Sequence, residues 1–159
     1  MTSPAHAIQL KPITRPMLRD VLALSVEPQQ QKFVAPNVRS LAEAYVDLER
    51  AWPRALCIGD KPIGFAMLEL LGPDHPEAPD GKASYFLWRY MIYAEHQRKG
   101  YGTTGLDLIV AHVRTLPDGD ALGTSYVPGD GCPGPFYERY GFRPTGEVDD
   151  GEIVLRLAL

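Results

Sequence analysis

Two spacings of hydrophobic residues run along the chain, an alternating one typical of strands and a 3.6-residue one typical of helices. The segment "IQLKPI" alternates and predicts a first strand. Thr14 then precedes a helical pattern and is placed to cap that helix. The apolar face of this predicted helix contains Met17, Leu18, Val21 and Leu22.

A second helix is predicted to begin at Ser40. Ser40 and Glu43 have the capping-box spacing, in which each side chain bonds the backbone N–H of the other residue. The apolar residues that follow at helical spacing are Leu41, Ala44, Tyr45 and Leu48. The chain is therefore expected to open with a strand and two helices.

Strands dominate the middle of the chain. Two apolar runs in "RALCIGDKPIGFAMLEL" flank Gly59-Asp60-Lys61-Pro62 and predict a β-hairpin. The segment "LGPDHPEAPDGK" is rich in proline, glycine and acidic residues, which predicts an exposed loop. The next segment, "ASYFLWRYMIY", is almost continuously apolar and aromatic, as expected of a central strand covered on both faces.

A basic, glycine-containing turn, "EHQRKGYG", follows this strand and leads into a helical pattern. The buried face of that helix is predicted to contain Leu106, Ile109, Val110 and Val113. The remaining segments predict a strand at "ALGTSYV", a loop at "PGDGCPGP", a short helix at "FYERY" ended by Gly141, and a last strand at "GEIVLRLAL". The 159 residues are expected to form a single domain, residues 1–159, because they are too few for two sizeable cores.

Charge and composition exclude several classes of protein. The chain has 20 acidic and 16 basic residues, a net charge of -4, which gives no electrostatic footprint for nucleic acid or an anionic membrane and is compatible with a cationic substrate. The apolar runs are too short to span a bilayer. The N-terminal "MTSPAHAIQL" lacks the features of a signal peptide, so the cytoplasm is the expected location.

The cysteines and histidines indicate neither disulfides nor a metal. Cys57 and Cys132 are too few for a disulfide framework, and both thiols are expected to be reduced. The four histidines stand far apart in sequence, without a second ligand at metal-binding spacing: His6, His75, His96 and His112. We therefore expect no metal.

The glycine-containing turn has the properties of an anion site. A turn that feeds a helix N-terminus directs unpaired N–H groups and the positive end of the helix dipole at one point. Gly100 and Gly102 allow close approach of a phosphate, and Arg98 and Lys99 can add charge, although taken alone these two are an ordinary solvated pair.

Three phosphate-binding motifs have glycines at a spacing similar to that of this turn. A P-loop requires a lysine after its glycines, whereas here Lys99 precedes them. The dinucleotide fingerprint fits the spacing of Gly100, Gly102 and Gly105, but it belongs after a first strand and here most strands come earlier. The third pattern, Q/R-x-x-G-x-G/A, is satisfied by "QRKGYG".

With this motif the chain resembles the GNAT superfamily of acetyl-CoA-dependent N-acetyltransferases. The segment "LWRYMIYAEHQRKGYG" is similar to that family's central strand and pyrophosphate loop, and "FYERYGF" to its late helix. The resemblance implies an α/β fold with a mixed, mostly antiparallel sheet, a splayed central strand pair and flanking helices. More narrowly, "EPQQQKFVAPNVRSLAEAY", "KPIGFAML", "LWRYMI" and "FRPTGEVDDGEIVLRLAL" resemble bacterial spermine/spermidine or diamine N-acetyltransferases.

The resemblance also implies a role for particular residues. Tyr137 matches the family's general acid, with a core aromatic residue as the alternative interpretation. The loop "PGDGCPGP" lacks an asparagine common in the family, so its contact is missing or is supplied by Asp130 or by backbone. The residues implied for acetyl-CoA are Met91, Ile92, Tyr93, Gln97, Arg98, Lys99, Gly100, Tyr101, Gly102 and Thr103.

The acceptor is less well defined by the sequence. A polyamine requires carboxylates and aromatic faces, for which Glu27 and Glu152 are the preferred candidates. The Asp149-Asp150 pair is a weaker candidate, because Asp149-Asp150-Gly151 is also a normal hairpin turn. Trp88 and Tyr85 are weaker candidates as well, because aromatic residues of a strand usually belong to the core. For the general base, Glu69 and Glu95 are candidates acting through water. Cys132 has no nearby histidine in sequence and is interpreted as an ordinary loop residue rather than a nucleophile.

The functional hypothesis is acetyl transfer from acetyl-CoA to a small-molecule amine, by direct attack in a ternary complex. A polyamine is the favoured acceptor; the alternatives are another amine, such as an aminoglycoside, an amino acid or a protein N-terminus, or a non-catalytic acyl-CoA-binding module. A homodimer is a further hypothesis, because "EIVLRLAL" can pair across a two-fold axis.

Overall fold

The computed structural model describes residues 7–159. Residues 1–6, which include His6 and most of the N-terminal segment "MTSPAHAIQL", lie outside the described residues. The elements in chain order are β1 Ile8–Lys11, α1 Leu18–Ala23, α2 Asn37–Tyr45, β2 Ala51–Ile58, β3 Lys61–Leu71, β4 Ser84–Ile92, α3 Tyr101–Arg114, β5 Ala121–Tyr126, α4 Gly134–Tyr140, β6 Arg143–Asp149 and β7 Glu152–Ala158. Within the described chain, no helix is long and apolar enough to cross a membrane.

The strands form a seven-stranded sheet in the order β1-β2-β3-β4-β5-β7-β6. Every neighbouring pair is antiparallel except β4 and β5. These two strands are parallel because α3 crosses over between them, as parallel neighbours require. The predicted mixed, mostly antiparallel sheet with flanking helices is confirmed, and β4 occupies its centre.

The parallel pair separates soon after it forms. Its registered pairs are Phe86 with Gly123 and Leu87 with Thr124, beyond which no further pair joins β4 to β5 in residues 7–159. At this last pair the Thr124 hydroxyl donates a buried hydrogen bond of 3.0 Å to the Leu87 carbonyl oxygen. The expected splay of the central strands is therefore present.

A β-bulge at Trp88 changes which face of the sheet the rest of β4 presents. On β3, Met67 pairs with Arg89 and its neighbour Leu68 pairs with Leu87, so Trp88 is an extra residue. Before the bulge, Leu87 packs in the cluster that contains the buried face of α3. After it, Met91 packs in the cluster that contains residues of α1 and α2. Since side chains alternate along a strand, the bulge reverses their orientation beyond this point.

The core lies on both sides of the sheet. On one side, the α3 residues predicted for its inner face are all buried: Leu106, Ile109, Val110 and Val113. On the other side, the short helices α1 and α2 contribute Val21 and Ala44 against Phe65 and Met67. Sheets covered on both faces require apolar central strands, which explains the apolar sequence of β4.

The predicted starts of the first two helices are wrong. Thr14 precedes a 3-10 turn at Arg15–Met17 and caps nothing, so α1 begins only at Leu18. Helix α2 begins at Asn37, where the Asn37 side chain donates a buried hydrogen bond of 2.9 Å to the Val21 carbonyl oxygen. Ser40 is therefore buried inside α2 and does not cap it.

The apolar faces predicted for these helices are also partly wrong. Leu18 and Leu22 are exposed, because only Val21 of α1 enters the core. Tyr45 is the last residue of α2 and is 78% exposed, and Leu48 lies beyond the helix and is 69% exposed. Helix α2 ends before its apolar pattern does, so the pattern does not define one buried face.

The last hairpin contains a strand that the sequence pattern did not predict. Strand β6 is fully exposed and pairs with β7 at the edge of the sheet. The turn between them is formed by Asp150 and Gly151, both with positive φ. The interpretation of Asp149-Asp150-Gly151 as a hairpin turn is confirmed.

Candidate active site

The separation of β4 and β5 opens a cleft of about 820 Å³. One wall is β4 from Leu87 to Ile92, and the opposite wall includes Thr124 and Ser125 of β5. Helix α4 contributes Phe136 and Tyr137, and a 3-10 segment at Pro28–Phe33 lies on the remaining side. The splay thus leaves an edge of the central strand facing a space large enough for a small-molecule ligand.

The basic turn lies at one end of this cleft and leads into α3. Gly100 is the N-cap of α3 with φ 84° and ψ 1°, a left-handed conformation that favours glycine. No side chain of the described residues caps the α3 N-terminus, so the first N–H groups of this 14-residue helix are free to bind an anion. Arg98, also at positive φ, lines the cleft beside them.

Close packing holds this turn against β4 and α4. The Tyr90 hydroxyl donates a 2.6 Å hydrogen bond to the Gly102 carbonyl oxygen. A Cβ at Gly105 would lie 2.3 Å from the Tyr90 hydroxyl oxygen, and a Cβ at Gly102 would lie 3.2 Å from the Phe136 ring. Gly105 therefore serves helix packing, and Gly102 keeps the space beside the α3 N-terminus free of side-chain atoms.

The structure brings seven of the ten residues implied for acetyl-CoA into the cleft lining: Met91, Ile92, Gln97, Arg98, Gly100, Gly102 and Thr103. The other three lie outside it. The Tyr93 N–H donates to the Ile63 carbonyl oxygen at 2.8 Å, Lys99 is exposed, and Tyr101 packs against the cluster that contains Ile63.

The Gln97 side chain is already engaged within the protein. Its Nε2 donates to Gln30 Oε1 at 2.8 Å and to the Ile92 carbonyl oxygen at 3.0 Å. These bonds connect the basic turn to the end of β4 and to the 3-10 segment. Gln97 thus shapes the turn through its side chain.

Tyr137 is buried at the bottom of the cleft, next to the point where the strands part. Burial raises the pKa of its phenol to about 12, and a hydrogen bond with the Thr124 side chain partly opposes this rise. The phenol is therefore protonated at neutral pH and available as a proton donor. Tyr140, one turn later on α4, instead donates to Asp107 at 2.7 Å, away from the cleft lining.

The two preferred acceptor carboxylates are in different positions. Glu152 lines the cleft and accepts a 3.2 Å hydrogen bond from the Ser125 hydroxyl. Glu27 is outside the lining, where it accepts a 2.6 Å hydrogen bond from the Gln29 amide and lies 3.4 Å from Arg98. Of the two carboxylates predicted from the sequence, Glu152 lies beside the cleft and Glu27 does not.

Some of the other residues considered from the sequence line the cleft, and the rest lie outside it. Trp88 and Cys132 line the cleft, but Tyr85 does not, because it is buried and its hydroxyl bonds the Pro117 carbonyl oxygen. The base candidates are also outside the lining: Glu69 is paired with Arg50 at 3.0 Å, and Glu95 is exposed.

In the loop after β5, Asp130 is exposed and outside the cleft lining, whereas its neighbours Gly131 and Cys132 line the cleft. Pro133 lines the cleft as well, so a contact from this loop to a ligand in the cleft would come from these three residues. Within residues 7–159, no three His, Cys, Asp or Glu side chains come together as a metal site.

Two arginines on the cleft wall were not predicted from the sequence. Arg39 of α2 and Arg89 of β4 both line the cleft, and both bond the carboxylate of Glu43, at 2.8 Å and 3.1 Å. The i,i+4 spacing of Arg39 and Glu43 on a helix could have predicted the Arg39–Glu43 ion pair from the sequence. The position of Arg89 depends on the bulge at Trp88, for which the sequence has no signal.

Comparisons with known proteins place this architecture in a family. Crystal structures with the same fold include an acetyltransferase from Thermus thermophilus, 23% identical over 98% of this chain and 99% of that chain, with a TM-score of 0.70. The PaiA N-acetyltransferase of Thermoplasma acidophilum in complex with coenzyme A is 12% identical over 96% and 99%, with a TM-score of 0.65. The aminoglycoside acetyltransferase AAC(6')-Ib in complex with coenzyme A is 18% identical over 96% and 95%, with a TM-score of 0.74.

At these identities the structures show a shared fold. No curated protein sequence matches the chain. The sequence profile of the acetyltransferase (GNAT) family, however, matches residues 19–142, well over half of the chain. The chain therefore belongs to the acetyltransferase (GNAT) family.

Proposed function

We propose that the protein transfers the acetyl group of acetyl-CoA to a primary amine, with both substrates bound in the cleft. The observation that carries this proposal is the arrangement at the splay. A free helix N-terminus lies at one end of the open β4 edge, and a buried, protonated tyrosine lies near the other end. Acetyl-CoA is a substrate here and supplies the acetyl group as a thioester.

The cleft residues fit acetyl-CoA in their chemistry. The α3 N-terminus and Arg98 supply N–H groups and positive charge for a pyrophosphate. The backbone of Met91 and Ile92 lies on the cleft side of β4 beyond its last pair with β5, where an amide-containing arm can add to the sheet edge. Gly102 leaves room for the approach of the anion.

Acetyl transfer makes two demands on protons. An alkylamine with a pKa of about 10.4 is neutral in roughly one molecule in a few thousand at pH 7, so it must lose a proton before attack. The thiolate that leaves must gain one. Tyr137 can donate that proton because its phenol is protonated at neutral pH and because it lines the cleft. We assign no base, since Glu69 and Glu95 are outside the cleft lining.

A polyamine is the acceptor that the sequence resemblance implies. The ammonium groups of a polyamine require several carboxylates, and so do the ammonium groups of an aminoglycoside. Among the described residues, Glu152 is the one carboxylate in the cleft lining, and Glu27 is paired with Arg98 outside it. Glu152 supports an amine acceptor, but the charges of the cleft offer little support for one with several positive charges.

The experiment is a thiol-release assay with acetyl-CoA and a panel of spermine, spermidine, putrescine, an aminoglycoside, free amino acids and a peptide with a free N-terminus. Turnover with any amine, confirmed by mass spectrometry of the acetylated product, supports the proposal. Binding of acetyl-CoA by calorimetry without turnover on any amine would instead support a non-catalytic acyl-CoA-binding module.

A further inference from the structure

The charged residues of the cleft lining are mostly basic. The lining contains five basic side chains and, among the described residues, one carboxylate: Lys32, Arg39, Arg89, Arg98 and Arg139, with Glu152. Arg98 belongs to the basic turn at the α3 N-terminus, where a pyrophosphate is expected. Arg89 lies three residues before the end of β4, about 10 Å along the strand from that end. Its positive charge therefore serves a different part of the ligand.

Arg39 and Arg89 form a pair with excess positive charge. Both bond the same Glu43 carboxylate, at 2.8 Å and 3.1 Å. Glu43 is outside the cleft lining, whereas both guanidinium groups are in it. Two guanidinium groups that share one carboxylate keep a net charge of about +1 on the cleft wall.

The two guanidinium groups also keep unused hydrogen-bond donors. Arg39 bonds Glu43 through its Nε, and its side chain is 67% exposed, so its two terminal NH2 groups face solvent. Arg89 is more fully engaged, because it bonds Glu43 and the Trp88 carbonyl oxygen and its Nε is buried. A guanidinium fork matches the two oxygens of a carboxylate.

Glu152 adds a negative group near the same place. Burial lowers the pKa of the Arg89 guanidinium, the charges of Glu43 and Glu152 oppose this shift, and that of Arg39 adds to it. Glu152 is therefore close enough to act electrostatically on Arg89 across the splay. The wall of the cleft thus presents a positive and a negative group to one ligand.

We propose that the acceptor is an amino acid, whose carboxylate binds Arg39 and Arg89 and whose ammonium group is attracted by Glu152 before it loses its proton. This inference rests on the proposed acetyl transfer to an amine and specifies its acceptor class. In that reaction the ammonium group first releases one proton to solvent, and the neutral nitrogen attacks the thioester carbon. The C–S bond then breaks, the leaving thiolate takes the phenol proton of Tyr137, and the second proton lost by the nitrogen restores that phenol. The products are an N-acetyl amino acid and a thiol.

Matched pairs of amines that differ only in the carboxylate test this proposal. The pairs are lysine and cadaverine, ornithine and putrescine, and phenylalanine and phenethylamine. They are assayed by thiol release, together with the remaining protein amino acids. A charged hydrogen-bonded contact is expected to raise kcat/KM for the carboxylated member of a pair by about tenfold or more.

Variants of the two arginines test the assignment of the site. Arg39→Gln is expected to raise KM for the amino acid about tenfold and to leave KM for the matched amine and the Kd of acetyl-CoA unchanged. Arg89→Lys keeps the charge but loses the planar fork, and its folding is checked by circular dichroism and thermal unfolding. Arg19→Gln, an exposed arginine outside the cleft lining, is the matched control.

Each outcome has a definite meaning. A preference for the carboxylated members that Arg39→Gln abolishes supports the proposal. The proposal is overturned if the diamines react as well as the amino acids, if the preference survives in both arginine variants, or if an enzyme that binds acetyl-CoA acetylates no amino acid. Failure to bind acetyl-CoA would overturn the proposed function itself, which calorimetry without any amine detects separately.

Discussion

The Thr124 hydroxyl donates a buried hydrogen bond of 3.0 Å to the carbonyl oxygen of Leu87, at the last position where β4 and β5 are paired. A side chain thus supplies a hydrogen bond at the point where the backbone ladder stops. The same residue faces the Tyr137 phenol. Thr124 therefore connects the fold feature that opens the cleft with the proton donor proposed for its chemistry.

Replacing Thr124 with valine should destabilise the protein. Valine has the same shape but leaves the Leu87 carbonyl without this bond, which is expected to lower the free energy of unfolding by about 1–3 kcal/mol. Thr124→Ser keeps the hydroxyl and serves as the control. Urea unfolding followed by circular dichroism measures both. Equal stability of Thr124→Val and the natural protein would mean that this bond does not stabilise the splay.

Replacing Tyr137 with phenylalanine should lower turnover. The variant keeps the aromatic ring but removes the proton donor, so kcat is expected to fall roughly a hundredfold while acetyl-CoA affinity stays the same. Tyr140→Phe is the matched control, because Tyr140 lies on the same helix and bonds Asp107 instead. Steady-state kinetics and calorimetry check the two quantities, and unchanged kcat in Tyr137→Phe would remove Tyr137 as the acid.

The buried Tyr137 phenol also predicts how stability depends on alkaline pH. Its pKa is raised to about 12 in the folded state, against about 10 when unfolded. Between these pH values the unfolded chain binds fewer protons, so the free energy of unfolding falls as pH rises.

The loss from this one group amounts to about 1.4 kcal/mol between about pH 9 and about pH 11. Tyr137→Phe should therefore lose less stability over that interval than the natural protein, by this amount. Urea unfolding at the two pH values provides the measurement. Burial also raises the pKa of Tyr90 and Tyr140, and both residues remain in the variant. The part of the rise at Tyr90 that comes from the charge of Tyr137 is lost with that phenol and belongs to the measured difference. An identical pH dependence of the two proteins would contradict the prediction.

Replacing Gly102 with glutamate should weaken acetyl-CoA binding. The new side chain would meet Phe136 and would place a negative charge beside the expected pyrophosphate, so Kd should rise about tenfold or more. Gly102→Ala separates the effect of size from that of charge. Gly72→Glu adds the same charge in an open loop and is the matched control. Calorimetry that gives the natural affinity for Gly102→Glu would show that this turn does not bind the pyrophosphate.

The sequence by itself determined the elements whose signals are local. Helix α3 was predicted because its apolar residues repeat at helical spacing over several turns, and all four of them are buried. The β2–β3 hairpin follows from a glycine-containing turn between two apolar runs, and the central position of β4 follows from its nearly continuous apolar sequence. The glycine spacing of the turn before α3 also predicts an anion site, which stays a prediction.

Other elements depend on partners distant in sequence. Helix α2 begins at Asn37 because Asn37 bonds the Val21 carbonyl oxygen, 16 residues earlier, which overrides the local capping signal at Ser40. Strand β6 is exposed throughout and has no apolar alternation, so it forms because β7 supplies its hydrogen-bond partners. Neither contact leaves a pattern within the segment itself.

The arrangement of Arg89 and Glu152 in the cleft was decided only by the tertiary structure. Regular alternation along β4 would place Arg89 on the face of Leu87, in the core beside α3. The bulge at Trp88 reverses this and brings Arg89 to Glu43 of α2, and the splay places Glu152 across from it. Such an arrangement depends on strand register and on contacts between distant elements, because a one-residue shift moves every later side chain to the other face of the sheet.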